Sequence, residues 1–454
     1  MKKFGKVMRA ALVGAILVLP QAALAESLAD ALIGAYRHSN LLEQNRAVLR
    51  AADEDVAQAV ASLRPTLSLR AGASYGNFLH SDSSDGLSAT ISLIGEMTLL
   101  DFGRNKAAIA AKKEAVLATR MALINVEQDV LLEAVAAYVT LQLRQDAIAL
   151  REANVRLIIQ ELRAANDRFD VGEITRTDVA IADARLAAAQ SELAAAQGDL
   201  AIARETYKLA IGHSPRGLSR LPSAPKTANS LDAAKAVALR SHPRIRQLQY
   251  EVAAAEAGIA LAKANMGPSL TGGMTLNDNS QNTDAFNLSL SLNQTIYSGG
   301  RGSSLYRQSL ARRDAARANL HQIGAVMEQA VGQAWSEIDV ARASIVASDR
   351  QIRSAQTAYN GVREEAKLGA RTTLDVLNAE QELLKARTSR LSAEAGNYIG
   401  VYKLLSRMGL LTVEHLKLGI PTYDPEAYYN AVKNAPATSS QGKRLDRVLK
   451  AIGN

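Results

Sequence analysis

Two stretches of the chain carry the side chains best placed to act through charge. They are Val171-Gly172-Glu173-Ile174-Thr175-Arg176-Thr177-Asp178-Val179 and Leu368-Gly369-Ala370-Arg371-Thr372-Thr373-Leu374-Asp375-Val376. In each, Gly172 or Gly369 supplies the left-handed conformation that ends a helix. Thr175 with Asp178, and Thr372 with Asp375, then have the spacing of a capping box that starts the next one. Capping alone accounts for both carboxylates. Other chemistry is poorly represented. His38, His80, His213, His242, His321 and His415 lie far apart with no paired-ligand spacing, which predicts no metal site. Gly299-Gly300-Arg301-Gly302-Ser303-Ser304 is rich in glycine but lacks the lysine and spacing of a phosphate-binding loop, and a strand-to-helix turn explains it. With no nucleophile, base or metal constellation, neither an enzyme nor a cofactor is expected.

The elements that position these turns repeat. Gly103, Gly172, Asp178 and Gly212 superpose on Gly300, Gly369, Asp375 and Gly409 at a constant offset of 197, whereas Ser27-Leu28 and Pro65 superpose on Ser230-Leu231 and Pro268 at 203. The insertion therefore lies between Pro65 and Gly103. The reading that follows is a signal peptide over 1–25, a first structural repeat over 26–212, a linker over 213–229, a second repeat over 230–409 and a C-terminal tail over 410–454. Each repeat is expected to hold a helix, two strands, a very long helix, a turn and a returning helix.

The expected strand pairs, 66–101 and 269–297, alternate with period two. Leu67, Leu69, Ala71, Ala73 and Tyr75 oppose Ser68, Arg70, Gly72 and Ser74; Phe286, Leu288, Leu290 and Leu292 oppose Asn287, Ser289, Ser291 and Asn293. Polar loops are expected around Asp82-Ser83-Ser84-Asp85 and Asn277-Asp278-Asn279-Ser280. Such alternation fits a soluble sheet packed on a helix, and equally strands of about 10 residues crossing a membrane at a tilt. Four strands cannot close a barrel, and an open edge in lipid leaves backbone groups unpaired. Two copies would close a filled barrel of about 8 strands, whereas three copies would leave a lumen.

The N-terminus supports export. Lys2, Lys3, Lys6 and Arg9 precede an apolar stretch from Ala10 to Leu19 and a small-residue cleavage site at Ala23-Leu24-Ala25, the pattern of a secretory signal peptide. Those four basic residues are part of a formal net charge of +8, so the mature chain is too weakly basic to point to nucleic acid. Without any cysteine, attachment to a membrane must come from the fold itself, and no long apolar helix follows residue 25. Helical sequence instead runs almost unbroken from Gly103 to Gly172 and from Gly300 to Gly369. About 60 residues of helix span about 90 Å. In the returning helix Val179, Leu186, Leu193, Leu200 and Tyr207 recur every seven residues beside Ala182, Ala189, Ala196, Ala203 and Ala210, a coiled-coil seam with one row of small side chains that lets helices approach closely.

The duplicated order of helix, strand pair, long helix and glycine turn resembles the TolC family of outer-membrane channels over essentially the whole mature chain. The motifs that carry the resemblance are Asp101-Phe102-Gly103-Arg104, Ser298-Gly299-Gly300-Arg301, and the segment from Leu368 through Asp375-Val376-Leu377-Asn378-Ala379. It implies a mainly α fold with a small membrane β part: a homotrimer whose 12-stranded β-barrel crosses outer-membrane lipid and continues into a long periplasmic α-helical barrel. It also implies a passive exit duct opened by a periplasmic adaptor and an inner-membrane pump, ABC-type or proton-driven. By the same resemblance Asp375 is the constriction carboxylate, while Arg371 and Asp178 are candidates for a latch between hairpins. Asn378 stands where relatives carry a second ring aspartate, and Ala366 where they carry a latch tyrosine, so a less acidic tip is expected. Pro421-Thr422-Tyr423-Asp424-Pro425-Glu426-Ala427-Tyr428 is similar to the tail of members that serve type I protein secretion. The reading from another class is a periplasmic coiled-coil adaptor or stalk without a pore.

Overall fold

Each repeat opens with two short helices where the sequence reading gave one. The computed structural model describes residues 25–76, 86–279 and 285–435, with four positions near the C-terminus, 443, 444, 447 and 451; the signal-peptide segment lies outside them. In the first repeat α1 (Leu28–His38) yields to α2 (Asn40–Ala61) at Ser39, whose hydroxyl accepts from the Leu42 amide at 3.2 Å. In the second, α5 (Leu231–Ser241) yields to α6 (Pro243–Ala264) at His242. Pro243 cannot donate to the preceding turn, and it opens the new helix, where its missing N–H costs nothing. The break also accommodates a close approach. A Cβ at Gly409 would stand 2.7 Å from the His242 Cα, and one at Gly212 would stand 2.6 Å from the His38 Cβ. The ends of the two returning helices are thereby pressed into the two breaks.

The sheet shows the two-faced pattern strand by strand. β1 (Thr66–Gly76), β2 (Gly86–Leu100), β3 (Ser269–Asn279) and β4 (Ala285–Asn293) lie in that order, every neighbouring pair antiparallel. Register converts the alternation into continuous rows. Leu69, Leu93, Leu276 and Phe286 face one another across all four strands, as do Leu67, Gly95, Met274 and Leu288. On the opposite face the rows are Ser68, Ile94, Thr275 and Asn287, and Thr66, Glu96, Gly273 and Ser289. Among the described residues no helix covers the apolar rows: Leu67, Leu69, Leu288, Leu290 and Leu292 are each at least 67% exposed. One loop expectation is corrected. Asn277, Asp278 and Asn279 belong to β3 and pair with Ser92, Ile91 and Thr90, because the ladder to the longer β2 continues past the last apolar residue. The loop expected around Asp82 lies outside the described residues.

From the sheet the chain passes into α3 (Arg104–Asp170) and α7 (Arg301–Lys367), each 67 residues long, or about 100 Å at the helical rise. Returning helices α4 (Arg176–Ile211) and α8 (Thr373–Arg407) complete two hairpins. Among the described residues no helix is long and apolar enough to cross a membrane. The largest core lies at the base of the hairpins, where Leu131, Val135 and Leu141 of α3 meet Leu28 and Leu32 of α1, Tyr207 of α4 and Leu405 of α8. There the Tyr138 hydroxyl lies 2.9 Å from the Glu26 carbonyl and 2.8 Å from that of Ser219, tying the first residues of the repeat to the segment that leaves it. Segment 421–435, with α9 (Pro425–Val432), returns to lie on α2.

The rows give a face-specific test. An arginine replacing Leu93 on the apolar face should destabilise a membrane-inserted sheet by about 2–4 kcal/mol, whereas Ser92→Arg, one residue away on the wet face, should cost little. Urea unfolding of protein in lipid vesicles would compare the two, and equal losses would refute the assignment of faces.

Candidate functional site at the hairpin tips

The two tips are built alike. After α3 ends, Gly172 takes φ 81° and the Glu173 amide returns to the Arg168 carbonyl at 2.9 Å; after α7 ends, Gly369 takes φ 75° and the Ala370 amide returns to the Glu365 carbonyl at 2.9 Å. Both expected capping boxes are present. The Asp178 carboxylate accepts from the Thr175 amide at 3.0 Å and its hydroxyl at 2.7 Å. Asp375 accepts from the Thr372 amide at 3.0 Å and its hydroxyl at 2.9 Å.

Capping does not cancel the charge. Hydrogen bonds to the ionised form stabilise it, so the Thr372 amide and hydroxyl hold the Asp375 carboxyl below its ordinary 3.8, with Arg371 adding a smaller pull. The Thr175 hydroxyl and amide do the same for Asp178. In each box both bonds go to one carboxylate oxygen, Oδ2. The second oxygen takes no part in the box. Each tip thus presents a fixed anion, and the structural and electrostatic roles reside in the same side chain.

Arg371 turns to its own hairpin. Its Nε donates to Glu365 Oε2 at 2.9 Å, and within the protomer it makes no bond to Asp178. The first hairpin carries the mirror arrangement, Arg168 Nε to Glu173 Oε2 at 3.1 Å. Positions 168 and 365 correspond in the repeat and carry opposite charges, while their partners Glu173 and Arg371 sit one position apart in the repeat, so each tip has a local brace of its own.

What joins one hairpin to the other is a set of contacts the sequence reading did not single out. Arg185 of α4 reaches across to α8, where Nη1 donates to Gln381 Oε1 at 2.8 Å and Nη2 to Asn378 Oδ1 at 3.1 Å. Asn378 is therefore engaged from the neighbouring hairpin. Asn154 of α3 donates to Glu380 of α8, both of them buried, and Arg363 of α7 pairs with Glu161 of α3 at 3.3 Å. Apolar packing follows the same line: Leu377 of α8 is seated among Ile158, Ala165, Ala182 and Ala189 of the first hairpin. Two members of the small-residue row seen in the sequence, Ala182 and Ala189, belong to the seat. Ala366 is buried with Tyr359, Val376 and Leu383, so it serves packing. A cavity of about 820 Å³ opens between the hairpins, lined by Arg151, Asn154, Arg185, Glu192, Ser348 and Glu380 among others. Burial lifts the Glu380 carboxyl, and the Asn154 amide opposes that rise.

Glu380 was the readable signal, a carboxylate between Leu377 and the pair Leu383-Leu384 on an apolar stripe. Which helix it meets could not be read, since Asn154 lies 226 residues away.

A two-faced sheet open at both edges, carrying long hairpins with charged tips, defines an outer-membrane channel subunit whose helices stand in the periplasm. The chain belongs to the outer membrane efflux protein family, whose model matches residues 35–213 and 236–405. Among its relatives is the outer membrane efflux protein BepC of Brucella suis biovar 1 (strain 1330), 37% identical over 436 residues that cover 94% of this chain and 95% of the relative. The outer membrane protein TolC of Vibrio cholerae is 26% identical, covering 87% and 93% of the two chains. The alkaline protease secretion protein AprF of Pseudomonas aeruginosa is also 26% identical, over 64% of this chain and 63% of the relative. The fold matches the crystal structure of VceC from Vibrio cholerae with a TM-score of 0.73 at 20% identity, covering 84% of this chain and 96% of that one.

The clasp between hairpins can be tested directly. Arg185→Ala removes both bonds to α8, a loss of about 1 kcal/mol for exposed charge-assisted contacts. Spin labels at Thr177 and Leu374 should then give a broader distance distribution between the tips, and an unchanged distribution would show that apolar packing at Leu377 holds the hairpins unaided.

Proposed function

We propose that the protein is the outer-membrane exit duct of a tripartite export system, a homotrimer whose three four-stranded sheets share one 12-stranded barrel. The observation that carries this is the sheet itself, with a continuous apolar face, a continuous wet face and unpaired edges at β1 and β4. Backbone groups on those edges cannot remain unpaired in hydrocarbon, where each costs several kcal/mol. Pairing β4 of one copy with β1 of the next satisfies them all. The wet rows then line the lumen and the apolar rows meet lipid.

In this reading conduction is passive, and energy comes from an inner-membrane pump coupled through a periplasmic adaptor. Export of polypeptides is supported by the likeness to AprF, described as an alkaline protease secretion protein, and a role in efflux by the likeness to BepC, described as an outer membrane efflux protein. Three-fold symmetry brings three Asp375 carboxylates around one axis. Such a ring attracts cations and makes the narrowing costly to dehydrate. Opening requires the second hairpin to leave the first. Arg185 with Asn378 and Gln381, and the seat of Leu377, are the contacts that resist it. Arg371 braces the tip from within through Glu365, and its free donors can meet Asp178 of an adjacent hairpin in the trimer.

Planar-bilayer recordings of the purified trimer test the reading. Wild type should give small cation-selective currents, and Asp375→Asn should move the reversal potential in a salt gradient toward zero. Because the Asp375 carboxyl is held below 3.8, wild-type selectivity should be constant between pH 5 and 8, a range about one unit or more above that value. It should fade only in stronger acid. A well-folded trimer that carries no current would overturn the proposal.

A further inference from the structure

Away from the tips, segment 421–435 runs back over α2 and α3 and is held by several polar and aromatic contacts. The Tyr423 amide donates to the Tyr36 hydroxyl at 3.2 Å, and the Arg46 guanidinium lies between the two rings, 5.3 Å from that of Tyr36 and 5.4 Å from that of Tyr423. The Tyr428 hydroxyl donates to Glu54 at 2.7 Å. Arg120 of α3 pairs with Glu426 at 3.1 Å while standing 5.3 Å over the ring of Tyr429. Beneath them is a small apolar floor, in which Tyr423 and Tyr429 pack on Leu49 and Val56 of α2 and Val116 of α3.

In the middle of that floor stands a carboxyl. Asp53 lies between Leu49 and Val56 on the same stripe of α2 and is fully buried. Among the described residues neither of its oxygens has a hydrogen-bond partner, and the Tyr423 hydroxyl and Arg120 Nε close by are also unpartnered. A neutral carboxyl can be kept in such a place at modest cost, whereas an ionised one without donors is strongly disfavoured. Nothing in the channel function uses this group.

We propose that segment 421–435 is a strap whose hold on α2 and α3 is set by the protonation of Asp53, tight when the carboxyl is neutral and loosened when it ionises. The charged and titratable groups around it come from every element that packs there. They are Glu43, Arg46, Arg50 and Glu54 from α2, Arg120 from α3, Tyr36 from α1, and Tyr423, Glu426, Tyr429 and Lys433 from the strap. Burial lifts the Asp53 carboxyl from 3.8 to about 6, with Arg120 pulling the other way and Glu54 adding to the rise. Ionisation has two ways to find relief. Arg120 can turn from Glu426 toward Asp53, which undoes the anchor of α9, or the strap can lift and admit water. Both loosen the same segment.

The direction follows from proton linkage. Asp53 binds its proton more tightly when the strap is closed, so closure weakens as pH rises from about 4 to about 6 and stays weak above that. If the lifted strap restores an ordinary carboxyl, opening increases roughly a hundredfold across that window.

Hydrogen exchange of the intact protein in detergent, corrected at each pH for the intrinsic rate, reads the opening directly. Protection of amides in 421–433 should fall by one to two orders of magnitude between pH 4.5 and 7.5, while amides in the middle of α3 keep theirs. Asp53→Asn should abolish the pH dependence of the strap. Strap protection that is flat in the wild type would overturn the proposal whatever the variant does, and so would an identical fall in the wild type and Asp53→Asn.

Discussion

The structure depends on one constraint, that every backbone N–H and C=O placed in hydrocarbon needs a partner within the protein. Four strands in the order β1 to β4 meet it internally and fail it at two edges. That deficit is what makes one chain incomplete, and it reaches far beyond the sheet. Copies that share a barrel also bring their helices side by side. A soluble sheet would have covered its apolar rows with a helix. Here α3 and α7 leave the sheet at Gly103 and Gly300, and the rows stay bare.

Duplication supplies the parts, and the differences between the copies supply the function. Both repeats make the same helix break, the same strand pair and the same capped tip. They diverge in charge. Arg168 with Glu173 in one tip answers Glu365 with Arg371 in the other. Arg185 of the first returning helix reaches Asn378 and Gln381 of the second, so the hairpins are unlike faces that can clasp. Two identical hairpins would lack this clasp, because Ile181 and Ala184 hold the positions in the first returning helix that Asn378 and Gln381 hold in the second.

The contacts between hairpins are of two kinds with different mechanical consequences. Leu377 among small side chains is non-directional packing that tolerates sliding. Arg185 and the buried pair of Asn154 with Glu380 are directional and hold one register. Removal of one partner of such a buried pair leaves the other unsatisfied, which costs more than the bond contributes. The tip is therefore held weakly in amount and narrowly in geometry.

Sequence by itself determined everything that depends on a few neighbouring residues. The two faces of each strand, the junctions at Gly103 and Gly300, the capping boxes at Thr175 and Thr372 and the small-residue seam of α4 were all legible, because periods of two and of three to four residues follow from backbone geometry. The offsets of 203 and 197 even placed the insertion between Pro65 and Gly103, the span that holds the first strand pair. Breaks at Ser39 and His242 were not legible as such, since a cap and a proline permit a break and only the approach of Gly212 and Gly409 makes use of it. The reach of β3 through Asn279 was decided by the length of β2. Above all, the tertiary structure decided partnership: Arg371 to Glu365 in its own hairpin, Asn378 to Arg185, and a carboxyl at Asp53 enclosed without a donor. These pairings join residues separated by up to hundreds of positions, and periodicity along the chain tells which face of a helix is buried, never which helix will bury it.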